Sequence, residues 1–260
     1  MIKIIDINFN PLQDILNLYP NDTFLCRIGS LYSTYGIDKT FVNFWVQLDD
    51  NDRITSVISM LDFQMTLYLT QNSNMDEIEK FIYITGTKSV LTDYKYNLIL
   101  NNFKKLSGDI LKFDYNSNTH TVNNQINTTS PKVKDLYRLL NSVYDSNFVD
   151  KNSFCLDVSH KLLKKASRIY TIINNNELVS CAMTVAEFQN TAIIGAVATL
   201  KSNRSNGFAT DLVISLSDKL TQEGKSVYVY TDNSKINEFY NKIGFNKDGK
   251  WNEFAINGEN

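Results

Sequence analysis

Two distant stretches of this chain carry the same strand-and-turn pattern. Residues 44–70, FWVQLDDNDRITSVISMLDFQMTLYLT, read as an alternating strand, a DDND turn, a second strand and, after DFQ, a third apolar run. Residues 168–199, RIYTIINNNELVSCAMTVAEFQNTAIIGAVAT, repeat that plan, with an NNNE turn and EFQ in the matching place. Apolar residues that alternate with polar ones put one face of a strand on a core, so each stretch predicts three consecutive antiparallel strands. The likeness continues from SVLTD (89–93) to SVYVYTD (226–232), each followed by a stretch that reads as helical, YKYNLILNNFKKL in the first case. A duplicated, hairpin-rich unit is the simplest reading. It excludes a doubly wound succession of βαβ units.

The polar segment NSNTHTVNNQINTTSP (116–131) has no apolar period and ends in one of only three prolines. It divides the chain into a first domain, 1–115, a linker, 116–130, and a second domain, 131–260, both domains large enough to bury a core. In the second domain PKVKDLYRLLNSVYDS (131–146) starts with proline and spaces Val133, Leu136, Leu140 and Val143 as a helix does. LDVSHKLLKKA reads as a second helix. After the three strands, Phe208, Leu212, Leu216 and Leu220 recur every four residues and predict a helix over 207–222. VYVYT is a short strand, SKINEFYNKI a helix stopped by Gly244, and WNEFAI a closing strand. The fold class is α/β (α+β): a mixed, mostly antiparallel central sheet flanked by helices, in two copies.

Composition removes several function classes. Lys and Arg total 26 against 28 Asp and Glu, with a net charge of −2 and no basic block, so neither nucleic acid nor an anionic membrane is expected as a partner. The near-neutral balance also argues against a highly charged acceptor such as a polyamine. The three cysteines, Cys26, Cys155 and Cys181, are far apart and read as reduced, buried residues. His120 and His160 have no metal-ligand neighbours, so no metal site and no Ser-His-Asp triad is expected. No apolar run is long enough to span a membrane, and MIKIIDINFNPLQD is too polar for a signal peptide. A cytoplasmic monomer or homodimer is the expectation.

The most informative local stretch is VATLKSNRSNGFATDL (197–212). A strand ends near Thr199, a polar turn follows, and a helix begins at Asn206 or Gly207. The first turn of a helix presents backbone N–H groups without intrahelical partners at the positive end of the helix dipole, which is an anion-binding arrangement. Gly207 lets an anion approach its N–H closely, Ala209 keeps the next turn small and Arg204 adds a cation. Ser205 or Asn206 acting only as a helix cap is the plainer alternative.

These residues resemble the acyl-CoA-binding motif of the GNAT N-acetyltransferase superfamily, Q/R-x-x-G-x-G/A after a strand ending V-x-T. Arg204, Gly207 and Ala209 fill the pattern, with Val197 and Thr199 at the usual distance upstream. NSKINEFYNKIGF (233–245) resembles a second signature of the superfamily, with Asn233, Tyr240, Lys242, Gly244 and Phe245 in register. The resemblance covers about 131–257; the first copy has only the strand pattern.

The resemblance implies acetyl-CoA as acyl donor, an amine acceptor and direct attack of the amine on the thioester. Arg204, Ser205, Asn206, Gly207, Phe208 and Ala209 would hold the diphosphate, and the backbone of Val197, Ala198 and Thr199 the pantetheine arm. The latter follows if that strand diverges from VYVYT. The Ala198 N–H would meet the oxyanion, and Tyr240 would give the leaving thiolate its proton. Asn233 would bond the pantetheine or cap the following helix. A side-chain base is not evident: Ile193 stands where some relatives keep a glutamate, which leaves Glu187, Asp232 or a water relay. The first copy lacks both motifs, so its expected role is structural, or to wall one side of the acceptor site. A non-catalytic acyl-CoA-binding module is the alternative function. A generic nucleotide-phosphate loop is disfavoured, since neither G-x-G-x-x-G nor G-x4-G-K-S/T is present.

Overall fold

The computed structural model describes residues 2–4, 21–115, 120–144 and 149–256. Residues up to Ile110, with Tyr230–Ile236 and the chain from Lys247 on, form one compact unit; Leu111–Val229 and Asn237–Asn246 form the other.

In the first unit, β1 (Ile2–Ile4) pairs antiparallel with β2 (Val42–Leu48), which continues as an antiparallel meander through β3 (Ile54–Leu61) and β4 (Gln64–Leu69). These are the three strands expected from the 44–70 pattern. Among the described residues of this unit are the helices α1 (Thr23–Tyr35) and α2 (Met75–Ile84), and α2 leads into β5 (Ser89–Asp93), parallel to β4. Side chains seal both helix starts: Asp22 accepts from the Phe24 and Leu25 N–H groups of α1, and Asn74 from the Glu77 N–H of α2. Ile78 and Ile82, one turn apart, pack on Ile58, Leu67 and Val90.

The stretch YKYNLILNNFKKL does not form the expected helix. It is a loop up to Asn102 followed by β6 (Phe103–Phe113). Leu98 and Leu100 are buried while Ile99 between them is 71% exposed, a period of two rather than 3.6. Asn102 turns the chain at φ 66°.

The second unit contains α3 (Val133–Tyr144), α4 (Lys151–Leu163), β7 (Ile169–Asn174), β8 (Glu177–Phe188), β9 (Thr191–Thr199), α5 (Phe208–Gln222), β10 (Ser226–Thr231) and α6 (Ser234–Lys242), whose first residues, like the end of β10, fall in the first unit. The strand order is β6-β10-β9-β8-β7. β7, β8 and β9 are antiparallel neighbours, and β10 runs parallel to β9. Leu212, Val213, Leu216 and Leu220 of α5 pack on Ile194, Val227 and Val229. Leu136, Leu139 and Leu140 of α3 pack with Ile169, Cys181, Met183 and Ala198. Each such side chain contributes roughly 1.5–3 kcal/mol on burial, enough to fix α5 and α3 on the sheet.

Two differences from the expected domain plan have physical causes. The last strand, β11 (Phe245–Ile256), runs from Lys247 on within the first unit, where Trp251–Ala255 pair antiparallel with Ser89–Asp93. The first unit's strand order is accordingly β1-β2-β3-β4-β5-β11. The described part of the expected linker is tied down: Asn127 exchanges backbone hydrogen bonds with Thr171 at 2.8 and 2.9 Å. The carboxylate of Asp211, in the first turn of α5, accepts from the N–H groups of Asn123 (3.0 Å) and Asn124 (2.8 Å) and from Asn124 Nδ2 (2.7 Å). His120 Nε2 completes its shell at 2.8 Å. Residues 120–127 are thus a strap on the second unit. Residues 116–119 lie outside the described part.

Candidate active site

The site is organised by a break in strand pairing. β10 pairs with β9 from Ser226↔Thr191 to Val229↔Ile194, and no further. β9 runs on to Thr199. The register with β8 slips just beyond this point: Met183 faces Gly195 but Cys181 faces Ala198, so β9 spends one residue more than its partner. That β-bulge is marked by Ala196 at φ 47°, a left-handed backbone that an alanine adopts only where surrounding structure holds it. A bulge re-aims the strand, and here it does so where β10 departs.

Beyond the bulge the backbone groups sort onto two sides. Ala198 faces β8: its carbonyl accepts from Ser180 Oγ at 3.0 Å, and its N–H points to the Cys181 sulfur. The expected oxyanion donor is therefore turned away from the gap. The carbonyls of Val197 and Thr199 face the other way, by the alternation of extended chain. Val197 O accepts from Tyr144 Oη at 3.1 Å and Thr199 O from Arg204 Nε at 3.3 Å. Tyr144, the last residue of α3, had no motif to single it out. Tyr144 is 45% exposed, yet the protein around it, with Cys181 nearby, pushes its phenol up to about 12.

The turn after β9 delivers the chain to α5 with a one-turn 3-10 helix at Lys201–Asn203 and left-handed residues at Ser205 (φ 66°) and Gly207 (φ 75°). Gly207 is the N-cap of α5, and no side chain caps that end. Neither Ser205 nor Asn206 takes the capping role; the Asn206 amide instead bonds back to Asn203 O at 3.1 Å. With Asp211 N–H making the first intrahelical bond, to Gly207 O, the N–H groups of Phe208, Ala209 and Thr210 precede the hydrogen-bonded helix. A Cβ on Gly207 would meet nothing within 4 Å, so the helix end is open. Arg204, Ser205, Asn206 and Gly207 are exposed, and Phe208 and Ala209 are half-buried.

Tyr240, on α6, is 6% exposed, with its ring against Phe239 (5.1 Å) and Phe245 (5.3 Å). Burial, with the Tyr144 phenol nearby, raises its pKa, so the phenol keeps its proton at neutral pH. Asn233 takes the capping role, accepting from the N–H groups of Lys235 (2.9 Å) and Ile236 (3.4 Å). Of the candidate bases, Ile193 is fully buried and Glu187 is committed elsewhere. Glu187 pairs with Arg168 at 2.9 Å and accepts from Thr184 Oγ1 at 3.1 Å. Asp232 is exposed. Cys181 is no nucleophile: burial pushes its thiol up to about 12. Among the described residues no cluster of three His, Cys, Asp or Glu is placed to hold a metal, and no helix is long and apolar enough to cross a membrane.

This arrangement, a bulged strand splayed from its parallel neighbour and followed by an open helix N-terminus, is the GNAT fold. Residues 169–255 match the family model described as FR47-like protein. Solved structures carry the same architecture over nearly the whole chain. A GNAT-family acetyltransferase from Colwellia psychrerythraea superposes with TM-score 0.60 at 11% identity, covering 98% of this chain and 99% of that one. A GCN5-related N-acetyltransferase from Sphaerobacter thermophilus gives 0.64 at 10%, covering 98% and 94%. A tandem GNAT protein from the clavulanic acid biosynthesis pathway gives 0.61 at 9%, covering 100% and 99%. At these identities the likeness is one of fold. In sequence, the chain is 28% identical over 167 residues to MG265 of Mycoplasma genitalium, a protein named as a phosphatase. That match takes in 61% of this chain and spans about 57% of the relative's length.

Proposed function

We propose that this protein transfers an acetyl group from acetyl-CoA to an amine by direct attack. The observation that carries the reading is the coincidence, within one turn of chain, of the β9–β10 splay with a helix start that no side chain caps. The two halves of a CoA thioester make different demands, and the two features match them. A diphosphate needs several convergent N–H donors; Gly207, Phe208, Ala209 and Thr210 offer them, with Arg204, Ser205 and Asn206 alongside. An amide-bearing arm needs a strand edge, and β9 beyond Ile194 has one on the side that β10 leaves. Binding there would displace Tyr144 and Arg204 from the carbonyls of Val197 and Thr199, a cost the arm's own amides offset.

In this reading the amine nitrogen attacks the thioester carbon, the new C–N bond forms, and the C–S bond breaks. Tyr240 passes its proton to the departing sulfur, and the proton lost by the nitrogen passes through water to the Tyr240 phenolate, which restores the phenol. The oxyanion donor is a backbone N–H on the gap side of β9, at Val197 or Thr199 rather than Ala198. Asn233 serves as a helix cap. The first unit, without an equivalent loop, has a structural role.

The test is release of free CoA thiol from acetyl-CoA against a panel of amino acids, free-N-terminus peptides, aminoglycosides and polyamines. Turnover with one class and its loss in Tyr240→Phe supports the reading. Turnover unchanged in Tyr240→Phe removes the role given to Tyr240; donor binding without turnover against every amine leaves a binding module. The phosphatase-named relative motivates a second reading, checked by p-nitrophenyl phosphate hydrolysis with the same protein.

A further inference from the structure

One cleft in the second unit is not used by the chemistry above. It holds about 320 Å³ and is lined by Lys134, Tyr137, Arg138, Asn141 and Ser142 of α3 and by Lys151, the first residue of α4. Its size is that of a small-molecule site. Three of its six lining residues are cations, in a chain with a net charge of −2. Lys134 and Lys151 have no ion-pair partner among the described residues. Among the described residues Arg138 pairs with Asp135, at 3.2 Å, with its side chain 79% exposed. The acid beside Lys151, Asp150, is spent as the cap of α4, accepting from Ser153 N–H and Oγ. Tyr137 Oη bonds across to Val149 O at 3.3 Å, so the wall from α3 is tied to the start of α4.

One helix, α3, links the cleft to the splay. Tyr137, Asn141 and Tyr144 fall at i, i+4 and i+7 on α3, and Tyr144 reaches Val197 O at the gap. Asn141 is thus less than one turn from the tyrosine at the transfer point, and Lys134 lies roughly 15 Å from that tyrosine along the helix axis.

We propose that the amine acceptor carries an anionic group, a phosphate or carboxylate, and that Lys134, Arg138 and Lys151 hold that group while the amine reaches the splay. Asn141 supplies an amide for an uncharged part of the acceptor. The inference rests on the acyl-transfer reading for the amine; the anion site itself does not. The overall charge of the chain gives no sign of it, because three clustered cations are lost in a total of 26 against 28 acids.

Three probes of similar size separate the possibilities: O-phosphoethanolamine, β-alanine and propylamine. Each is titrated into the full chain by calorimetry, with and without acetyl-CoA, and tested for acetyl-CoA-dependent thiol release. The account expects one or both anionic amines to bind at least tenfold more tightly than propylamine. The stronger of the two names the group. Lys134→Gln combined with Lys151→Gln should abolish that preference and leave acetyl-CoA affinity and thermal unfolding unchanged. Equal binding of all three probes, or a preference that survives the double substitution, overturns the proposal even if neutral amines are acetylated. Binding as expected with no thiol release from these short amines upholds the anion site, and the amine panel above decides acetyl transfer separately.

Discussion

At the scale of single residues, the site divides into groups whose chemistry follows from type and groups whose role only burial and direction reveal. Tyr240 belongs to the first kind: its spacing from Asn233 made it a candidate, and its buried phenol holds a proton at neutral pH. Tyr240→Phe should lower kcat by roughly 10²–10⁴-fold with little change in donor affinity, measured by thiol release and by calorimetry. The sequence also singled out Gly207, which is a left-handed N-cap at φ 75° with open space beyond it. Gly207→Val should cost about 1–2 kcal/mol in strain, read by thermal unfolding, and should weaken acetyl-CoA binding by more than that strain explains. The direction in which Ala198 points was not legible, because it depends on a bulge one residue wide. Tyr144 was hidden for another reason: the end of an amphipathic helix says nothing about which carbonyl its side chain meets.

Elements were the most readable level, since strands and amphipathic helices are written in periods of two and 3.6. The exception, YKYNLILNNFKKL, has leucines two apart, and the chain chose that shorter period. The strap at 120–127 was missed because it is held by one acid, by backbone bonds at Asn127 and by Ile126 rather than by an apolar stripe. Burial alone would raise the pKa of Asp211; its hydrogen bonds to His120, Asn123 and Asn124 outweigh that and lower it. A folded-state pKa below the ordinary value stabilises the fold above that ordinary value and ceases to do so as pH falls through the folded one. Unfolding temperature should therefore drop on acidification below about pH 4 through this carboxylate. Asp211→Asn should remove that part of the drop and loosen hydrogen-exchange protection at Asn123 and Asn124. The Arg168 cluster gives a second, separable window. There Glu223 is held down to about 2 from 4.5 by Arg168 at 2.6 Å, so its contribution is lost between those values and is absent in Glu223→Gln.

For the molecule as a whole, the duplication was visible in sequence, but the destination of the last strand was not. WNEFAI reads as a strand wherever it pairs, and no local pattern names its partner. Because Trp251–Ala255 pair with Ser89–Asp93, a fragment beginning near residue 125 would carry a β11 without its β5 ladder, leaving an open strand edge. Such a fragment should aggregate on gel filtration; one that is soluble and fully active would contradict the structural role assigned to the first unit. The account as a whole depends on the helix start at Gly207 gripping a diphosphate while β9 takes the rest of the donor. A crystal of the full chain soaked with acetyl-CoA measures this most directly. The account predicts density for the diphosphate against the amides of 207–210 and the thioester in the gap between β9 and β10. A loop and gap without donor at saturating concentration would contradict it.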